Sequence, residues 1–282
     1  MKLATYSVEG MTTARVGVVQ EDAIIDAGFN GTMIELIEDW DAQRDRLEQL
    51  SDGSNARPLS SVKLHAPIEK PAKTWAIGLN YADHIEESKM ETPDKQIWFT
   101  KAQTSINPPY ASILIAKGGA FVDYEAELVA IIGKRGKHIP ASEAASYVFG
   151  YCVGNDVTER MWQHSGPQWS LGKSFDTHAP IGPWITTRDE IPDPHALDLT
   201  CTVNGELRQS SNTKHLVFDI WQQIEHLSGA LTLEPGDVIF TGTPGGVGAA
   251  MDPRQFLKEG DVVRCDVEKL GYIEGSMVLE GQ

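Results

Sequence analysis

The sequence predicts a β-rich α+β fold, arranged as a mixed β-sandwich or roll with few helices. Short apolar runs rich in β-branched residues recur along the 282-residue chain. Turn signals separate them, such as Asn204-Gly205 and the Glu-Pro-Gly-Asp sequence at residues 234–237. Beyond residue 66, one segment has clear helical periodicity. A doubly wound sheet would alternate its strands with helices, so the sequence argues against that architecture.

The first 66 residues predict a small N-terminal α+β domain, separate from a second domain that spans residues 67–282. Residues 14–26 predict two short strands around a Gln-Glu-Asp turn, and residues 33–50 predict one acidic amphipathic helix. The proline-containing stretch at residues 66–73 marks the boundary. Because this domain offers no convergent set of chemical groups, we expect it to have a structural or oligomerisation role.

Short strands and one helix are predicted beyond the boundary. The helix is indicated by apolar residues that recur at helical spacing, namely Val217, Ile220, Ile224, Leu227 and Leu231. The strands are predicted at residues 75–78, 113–115, 128–132, 148–153, 199–203, 238–241 and 262–267.

Composition and charge restrict the class of partner. The net charge of −16 at pH 7 argues against nucleic acid and anionic membranes, which attract basic surfaces. No stretch is as long and apolar as a membrane span, and the first residues lack the apolar core of a signal peptide. Cys152, Cys201 and Cys265 are far apart without paired spacing, which predicts reduced packing residues. We therefore expect a cytoplasmic protein that acts on a small molecule.

Two glutamates at the start of an apolar run are the most informative feature of the sequence. Glu125 and Glu127 lead into the run at residues 128–132, which predicts a buried strand. Strand side chains alternate, so both carboxylates point to one face, about 7 Å apart along the chain. A divalent cation would relieve their repulsion and lost hydration, and carboxylate oxygens suit Mg²⁺, Mn²⁺ or Ca²⁺. The alternative is an edge strand whose two glutamates face water.

Other polar groups have competing interpretations. Asp156 ends the apolar run at residues 147–155, where it could supply a third oxygen ligand or cap a helix at residues 158–163. His84 and Glu87 are three residues apart, so in a helical turn they can hydrogen-bond and form a water-activating base. The alternative for this pair is an exposed acidic helix with a solvated histidine.

Lys173 and a glycine-rich loop complete the candidate groups. Lys173 lies in a loop dense in Gly, Pro and aromatic residues, where it could pair with a substrate oxyanion or be merely solvated. The segment Thr241-Gly-Thr-Pro-Gly-Gly-Val-Gly248 follows a predicted strand, and its glycines let backbone N–H groups approach an anion. It lacks the Gly-Lys-Ser/Thr ending of a phosphate loop and the dinucleotide spacing, which argues against ATP and NAD.

Five of these segments occur in the order seen in the fumarylacetoacetate hydrolase superfamily, which the chain resembles over about residues 66–275. They are Gly78-Leu-Asn-Tyr-Ala-Asp-His84, Tyr124-Glu-Ala-Glu127, Gly154-Asn-Asp156, Gly172-Lys-Ser-Phe-Asp-Thr177 and Thr241-Gly-Thr-Pro-Gly-Gly-Val-Gly248. The resemblance implies a mixed β-sandwich roll of the fumarylacetoacetate hydrolase type, usually a homodimer. The N-terminal domain also resembles that of bacterial members that cleave diketo acids.

The resemblance also implies roles for individual residues. It implies a divalent ion, Mg²⁺ or else Mn²⁺ or Ca²⁺, with the ligands Glu125, Glu127 and Asp156. It implies that His84 and Glu87 form the water-activating dyad on a lid, whose polar composition continues to Lys89, and that Lys173 stabilises developing negative charge. The substrate contacts that it implies are Lys101, Gln163 and Thr243.

The chain departs from the family pattern at Leu79, where many relatives carry an arginine before the Asn-Tyr-Ala-Asp-His segment. An arginine there would pair bidentately with a second substrate carboxylate. Its replacement by leucine predicts a monoanionic or differently shaped substrate in preference to a dicarboxylate.

The expected reaction is metal-dependent hydrolysis of a C–C bond in a 2,4-diketo acid of the acylpyruvate type, releasing pyruvate or a related 2-keto acid. Water activated by His84 would attack the distal carbonyl, while the metal stabilises the enolate that remains. The alternative is an oxaloacetate-type decarboxylase or a 2-hydroxy-diene-dioate isomerase at the same metal–enolate site. A non-catalytic Ca²⁺-stabilised binding protein is a different class, against which the dyad and Lys173 argue.

Overall fold

The structure, a computed structural model, describes residues 1–50, 55–88, 91 and 93–281. Strands predominate, which confirms the β-rich α+β fold class, and no helix in these ranges is long and apolar enough to cross a membrane. The helices are α1 (Met33–Glu38), α2 (Trp40–Glu48), α3 (Ala82–Ser88), α4 (Ala141–Ala144), α5 (Arg160–Gln163) and α6 (Ile220–Ala230). The strands are β1 (Lys2–Ser7), β2 (Arg15–Gln20), β3 (Ala23–Asp26), β4 (Ala56–Pro58), β5 (Lys63–Leu64), β6 (Thr74–Gly78), β7 (Ile97–Thr100), β8 (Ile106–Asn107), β9 (Ile113–Ile115), β10 (Val122–Asp123), β11 (Ala126–Ile132), β12 (Val148–Asn155), β13 (Thr158–Glu159), β14 (Ala179–Thr187), β15 (Asp198–Val203), β16 (Glu206–Asn212), β17 (Val238–Phe240), β18 (Val262–Val267) and β19 (Gly271–Leu279).

Two sheets enclose the main apolar core. The larger has twelve strands in the order β4-β3-β2-β1-β14-β12-β11-β17-β6-β7, with β5 paired to β1 and β8 paired to β14. The smaller has five strands in the order β16-β15-β18-β19-β9, and β10 pairs with β13 separately. Leu128 and Val153 of the larger sheet share one buried cluster with Cys201, Cys265 and Ile273 of the smaller sheet. The two sheets therefore pack together as a sandwich, in line with the sequence prediction.

The N-terminal strands extend the larger sheet. β1 pairs antiparallel with β14, so that Lys2 lies opposite Thr186 and Leu3 opposite Ile185. β2 and β3 form the hairpin that was predicted around the Gln-Glu-Asp turn. The sheet thus continues from the first 66 residues into the rest of the chain, and the division into two domains stays a prediction.

The prediction of one helix over residues 33–50 is wrong, because α1 ends at Glu38 and α2 begins at Trp40. Asp39 lies between them with φ −96° and ψ 15°, outside the helical region. Leu36 of α1 and Leu47 of α2 belong to one buried cluster. The change of direction at Asp39 lets both apolar side chains reach this core.

Four chain segments meet at the end of the larger sheet where β11 begins. β11 and β12 are antiparallel, which places Glu127 opposite Gly154 and brings Asp156 to the same end. Because β17 is antiparallel to β11 and parallel to β6, the loops that follow β6 and β17 also reach this end. Every residue of β11 is buried between β12 and β17. The edge-strand interpretation of Glu125 and Glu127 is therefore wrong.

Candidate metal centre and active-site cleft

Three buried carboxylates form a cluster at the start of β11. One oxygen from each of Glu125, Glu127 and Asp156 lies within 4.8 Å of the others. Glu125 precedes β11, Glu127 lies in it and Asp156 follows β12, so the antiparallel pairing of the two strands brings them together. The N–H of Asp156 also donates to the carbonyl oxygen of Glu125 at 2.9 Å. The structure thus brings the three predicted metal ligands to one place.

Asp156 does not cap the following helix. α5 begins at Arg160, and its N-cap is Glu159, whose side chain accepts the N–H of Trp162 at 2.8 Å. The alternative interpretation of Asp156 as a helix cap is therefore wrong. The carboxylate of Asp156 is fully buried, and among the described residues its side-chain hydrogen bonds come from Lys101 and Lys173.

Two buried lysines offset part of the negative charge of the cluster. Lys173 Nζ donates to Glu125 Oε2 and to Asp156 Oδ2, each at 2.7 Å. Lys101 Nζ donates to Asp156 Oδ1 and to the carbonyl oxygen of Lys173. Burial lowers the pKa of Lys173, but Asp156 and Glu125 more than offset this and hold that pKa above its usual value. Burial lowers the pKa of Lys101, and the attraction of Asp156 does not fully restore it.

Glu127 has one carboxylate oxygen without a partner. Its Oε2 accepts the N–H of Gly242 at 2.7 Å, whereas its Oε1 is buried with no hydrogen-bond partner among the described residues. Burial, Asp156 and Glu125 raise the pKa of Glu127 well above its usual value. A buried carboxylate oxygen without a partner costs free energy that a bound cation would remove. This donor set of hard oxygens therefore fits a divalent ion.

The charge on Glu125 is stabilised, in contrast to that on Glu127. Burial raises the pKa of the Glu125 carboxyl, but Lys173 and Arg160 more than offset this and hold it below its usual value. Two glutamates that are only two residues apart thus differ in their charge partners. Glu125 is the better charged ligand before a cation arrives, and Glu127 is the one that a cation would stabilise most.

His84 and Glu87 form the predicted pair on α3. His84 Nδ1 and Glu87 Oε1 are 3.2 Å apart. His84 is 9% exposed, so the alternative of a solvated histidine on an exposed helix is wrong. A carboxylate at Nδ1 fixes the tautomer of the ring and leaves Nε2 to exchange protons.

The glycine-rich loop after β17 donates a hydrogen bond to the dyad. Glu87 Oε2 accepts the N–H of Gly246 at 2.7 Å. Gly246 has φ +99°, and a Cβ there would overlap the carbonyl oxygen of Arg208, so only glycine fits. The backbone N–H groups of the loop thus approach an anion, as its glycines suggested, and here that anion is the carboxylate of Glu87. Lys89, at the end of the predicted lid, lies outside the described residues.

The dyad and Glu125 of the carboxylate cluster line one cleft of about 610 Å³, a volume in the usual range for small-molecule sites. His84, Glu87, Glu125 and Lys173 all line it. The cleft thus combines a proton-transfer pair with the candidate metal centre.

The three predicted substrate contacts are placed differently. Gln163 and Thr243 line the cleft, whereas Lys101 is not part of its wall. Gln163 Oε1 accepts a hydrogen bond from Arg160 Nη1 at 3.1 Å. Lys101 is 4% exposed and contacts Asp156, so it is placed to hold a candidate metal ligand.

Arg160 is a cleft residue that the sequence analysis missed. Its Nη1 is 2.7 Å from Glu125 Oε1, and its Nη2 is 2.7 Å from Asp123 Oδ2. Burial lowers the pKa of the Arg160 guanidinium, but Asp123 and Glu125 more than offset this and raise it above its usual value. Its position four residues after Asp156, in the segment that follows the cluster, is the sequence feature that could have indicated its place in the cleft.

Arg254 is a second cation in the cleft that the sequence analysis missed. Arg254 and His164 both line the cleft, and both are exposed. Burial, and then the charges of Arg160 and Arg254, lower the pKa of His164, so these cations lie near one another. Among the described residues, no carboxylate lies within ion-pair distance of Arg254. An exposed loop arginine carries no distinguishing sequence signal, which is why it was missed.

Leu79 occupies the place of the family arginine. It lines the cleft and has φ +53°, a left-handed conformation that costs a non-glycine residue about 1 kcal/mol. The preceding residue, Gly78, lies under the ring of Trp169, which a Cβ would overlap. These two positions turn the chain between β6 and α3, and so set where the helix of His84 begins.

Comparisons with known proteins find relatives over most of the chain. Residues 73–278 match the family model described as fumarylacetoacetate (FAA) hydrolase C-terminal. The chain is 47% identical over 222 residues to the mitochondrial oxaloacetate tautomerase Fahd2a of Rattus norvegicus, covering 78% of this chain and 71% of that protein.

Two solved structures share the fold over the whole chain. The fumarylacetoacetate hydrolase EaFAH of Exiguobacterium antarcticum superposes with a TM-score of 0.87 at 36% identity, covering 99% of this chain and 100% of that one. The maleylpyruvate hydrolase of Sphingobium sp. SYK-6, in complex with manganese(II) and pyruvate, superposes with a TM-score of 0.85 at 32% identity, covering 100% of both chains.

Proposed function

This chain belongs to the fumarylacetoacetate hydrolase superfamily, and on that basis we propose that it is a divalent-metal-dependent tautomerase of a dicarboxylic 2-keto acid such as oxaloacetate. The observation that carries the proposal is the buried cluster of Glu125, Glu127 and Asp156, whose member Glu125 lines the same cleft as the His84–Glu87 pair. The name of the rat relative supports the choice of reaction. Hydrolysis of a diketo acid is the second candidate.

The cluster carboxylates would hold the cation, and Lys173 would act beside it. When bound, a divalent ion supplies positive charge that stabilises negative charge on the 2-keto oxygen of the substrate. Lys173 bridges Glu125 and Asp156 and lines the cleft, so its ammonium adds a second positive charge near that oxygen. We propose Mg²⁺ as the natural ion, with Mn²⁺ or Ca²⁺ as alternatives, because all three accept oxygen ligands.

His84 is the proposed proton carrier. In the conversion of enol to keto form, the enol hydroxyl loses a proton, C3 gains one, and the C2–C3 double bond becomes the C2 carbonyl. His84 can exchange protons at Nε2 because Glu87 engages Nδ1 and offsets the positive charge of the protonated ring. Gly246 holds Glu87 in turn, which keeps the pair in the cleft.

The cations of the cleft favour a dicarboxylate substrate. Leu79 alone predicted a monoanionic substrate, but that prediction did not include Arg254, which lines the same cleft. Arg160 and Lys173 are engaged by buried carboxylates, so among the described residues that line the cleft, Arg254 is the cation available to a distal carboxylate. We therefore propose that Arg254 takes the role that the family arginine has in relatives.

Replacing Arg254 by glutamine is expected to raise KM for oxaloacetate by roughly three- to thirtyfold with little change in kcat. The expected loss, about 0.7–2 kcal/mol, lies between that of an exposed ion pair and that of a charged hydrogen bond. Steady-state kinetics with enol-oxaloacetate and with a monoanionic 2-keto acid measure it. Lys258→Gln is the matched control, since Lys258 is exposed and is not part of the cleft wall. Equal changes for both substrates would contradict the assignment of Arg254.

Hydrolysis remains a candidate because of the same dyad. A carboxylate-bound histidine can also activate water, and the maleylpyruvate hydrolase shares the fold at 32% identity. The acyl group would then leave as an acid, and pyruvate or a related 2-keto acid would be released. Decarboxylation of oxaloacetate would need neither the water nor the proton transfer to start.

One substrate panel tests the proposed function. The purified protein is incubated with Mg²⁺ or Mn²⁺ and with enol-oxaloacetate, acylpyruvates and maleylpyruvate, and both ultraviolet loss of the enol and pyruvate release are followed. We expect fast loss of enol-oxaloacetate without pyruvate release, abolished by chelator and restored by added metal. Cleavage of diketo acids at a higher kcat/KM than tautomerisation would instead establish the hydrolase.

Assembly, domain division and location are also proposals. We propose a homodimer, because the exposed apolar side chains Met161, Trp162 and Leu171 lie in the segment between Arg160 and Lys173 that borders the cleft. Light scattering after size-exclusion chromatography tests it. The two-domain division after residue 66 and the cytoplasmic location are retained as proposals, and the rat relative is named as mitochondrial.

A further inference from the structure

Asp123 is a fully buried carboxylate next to the metal cluster, outside the groups that the proposed reaction uses. Its Oδ2 accepts hydrogen bonds from Arg160 Nε at 2.9 Å and Nη2 at 2.7 Å. The same oxygen accepts the N–H of Ala249 at 2.9 Å, while Oδ1 accepts the N–H of Gly248 at 2.8 Å and of Tyr124 at 3.0 Å. Asp123 thus joins a cleft cation to the glycine-rich loop.

We propose that Asp123 is a positioning residue that fixes Arg160 and the glycine-rich loop relative to the metal cluster. The proposal rests on the function proposed above. The guanidinium of Arg160 is held by Asp123 through two nitrogens and reaches Glu125 Oε1 with the third, at 2.7 Å. A planar fork with two of its nitrogens fixed has little freedom in the direction of the third. Asp123 therefore sets how closely the positive charge of Arg160 approaches a candidate metal ligand.

The same carboxylate fixes the loop that holds the dyad. Gly248 and Ala249, which donate to Asp123, follow Gly246, which donates to Glu87 at 2.7 Å. Through the loop, Asp123 is connected to the dyad, and through Arg160 it is connected to the cluster. Loss of its charge would leave Arg160 without its main counter-charge, so Arg160 would pair more strongly with Glu125 and oppose a cation there.

The test replaces Asp123 by asparagine, alone and together with Arg160→Lys. We expect Asp123→Asn to lower kcat for enol-oxaloacetate by roughly ten- to a hundredfold, with KM within about threefold. Isothermal titration should show Mn²⁺ affinity weakened by about three- to tenfold. In the Arg160→Lys background, the same substitution should lower kcat by less than about threefold more, because the asparagine oxygen still accepts the Gly248 N–H and the rest of the effect acts through the fork that lysine lacks.

Asp237→Asn is the matched control. Asp237 is also fully buried and paired with a cation, Lys73, but is not part of the cleft wall. Its replacement should leave kcat and Mn²⁺ affinity unchanged. If Asp123→Asn does not fold, Asp123→Glu replaces it, because glutamate keeps the charge on a longer side chain. Asp123→Glu should lower kcat less than Asp123→Asn, and this loss should also be smaller in the Arg160→Lys background than in the wild type.

The outcomes separate this proposal from the proposed function. If the loss of kcat in the double variant equals the product of the two single losses, Asp123 does not act through Arg160 and the proposal is overturned. Unchanged kcat and Mn²⁺ affinity in Asp123→Asn would overturn it as well. A wild-type protein that binds Mn²⁺ but does not tautomerise oxaloacetate would refute the proposed function alone. In that case the coupling of Asp123 and Arg160 is measured from the Mn²⁺ affinities of the wild type, the two single variants and the double variant.

Discussion

Substituting Glu127 by alanine is expected to lower metal-dependent turnover by more than about a hundredfold while the protein stays folded. Glu127 contributes the one carboxylate oxygen of the cluster that is buried without a partner among the described residues. Removing it deletes a candidate ligand, and it also removes a charge that burial, Asp156 and Glu125 disfavour, as the raised pKa of Glu127 shows. In the absence of metal, we therefore expect Glu127→Ala to melt at the same temperature as the wild type or at a higher one.

Thermal melts with and without Mn²⁺ measure this prediction directly. A ligand that binds only the folded state raises its melting temperature, so Mn²⁺ should stabilise the wild type and not Glu127→Ala. Glu127→Gln, which keeps an acceptor for the Gly242 N–H, separates loss of charge from loss of shape. A variant that keeps wild-type turnover and the Mn²⁺-induced shift would place the metal centre elsewhere.

His84→Ala is expected to slow tautomerisation by roughly a hundredfold or more, the usual contribution of a general acid–base group. Hydrolysis of any diketo acid should fall similarly, since it needs the same residue to activate water. Metal-dependent decarboxylation of oxaloacetate should fall less, because the C–C bond breaks without prior proton transfer. Loss of enol is followed with enol-oxaloacetate and release of CO₂ with keto-oxaloacetate, so that each reaction is measured from its own starting form.

Two variants act as controls for His84. His164 lines the same cleft without a carboxylate partner among the described hydrogen bonds, so His164→Ala should change kcat by less than about threefold. Glu87→Gln removes the charge that supports His84 and should give a smaller loss than His84→Ala, of about tenfold. Equal losses of tautomerisation and decarboxylation in His84→Ala would contradict the role of His84 as proton carrier.

Most of the candidate site was predictable because its residues sit at places that local sequence marks. Glu125 and Glu127 lead into an apolar strand, where their charges conflict with the local pattern, and Asp156 ends the next apolar run. His84 and Glu87 have the spacing of one helical turn. Glu127 and Asp156 are 29 residues apart in the sequence. The antiparallel pairing of β11 and β12 brings their carboxylates to the same end of the two strands.

Other contacts could not be read from the sequence, because they join residues with no local mark. Asp123 resembles any acidic residue before a strand, yet it receives Arg160 and two N–H groups from a loop 125 residues away. Arg254 differs from other exposed arginines only by its place in the cleft wall. The edge-strand interpretation of the glutamates also needed the partner strands β12 and β17 before it could be rejected.

The β-rich fold class, the candidate ligands and the dyad were predictable from the sequence, because periodicity, turn residues and charges within apolar runs are local properties of a chain. The cations that face those ligands, the unpartnered oxygen of Glu127 and the separation of α1 from α2 became visible in the folded structure. These features depend on burial and on distances between remote segments. Both arise when the sheets pack, so the electrostatics of the cleft belong to the fold as a whole.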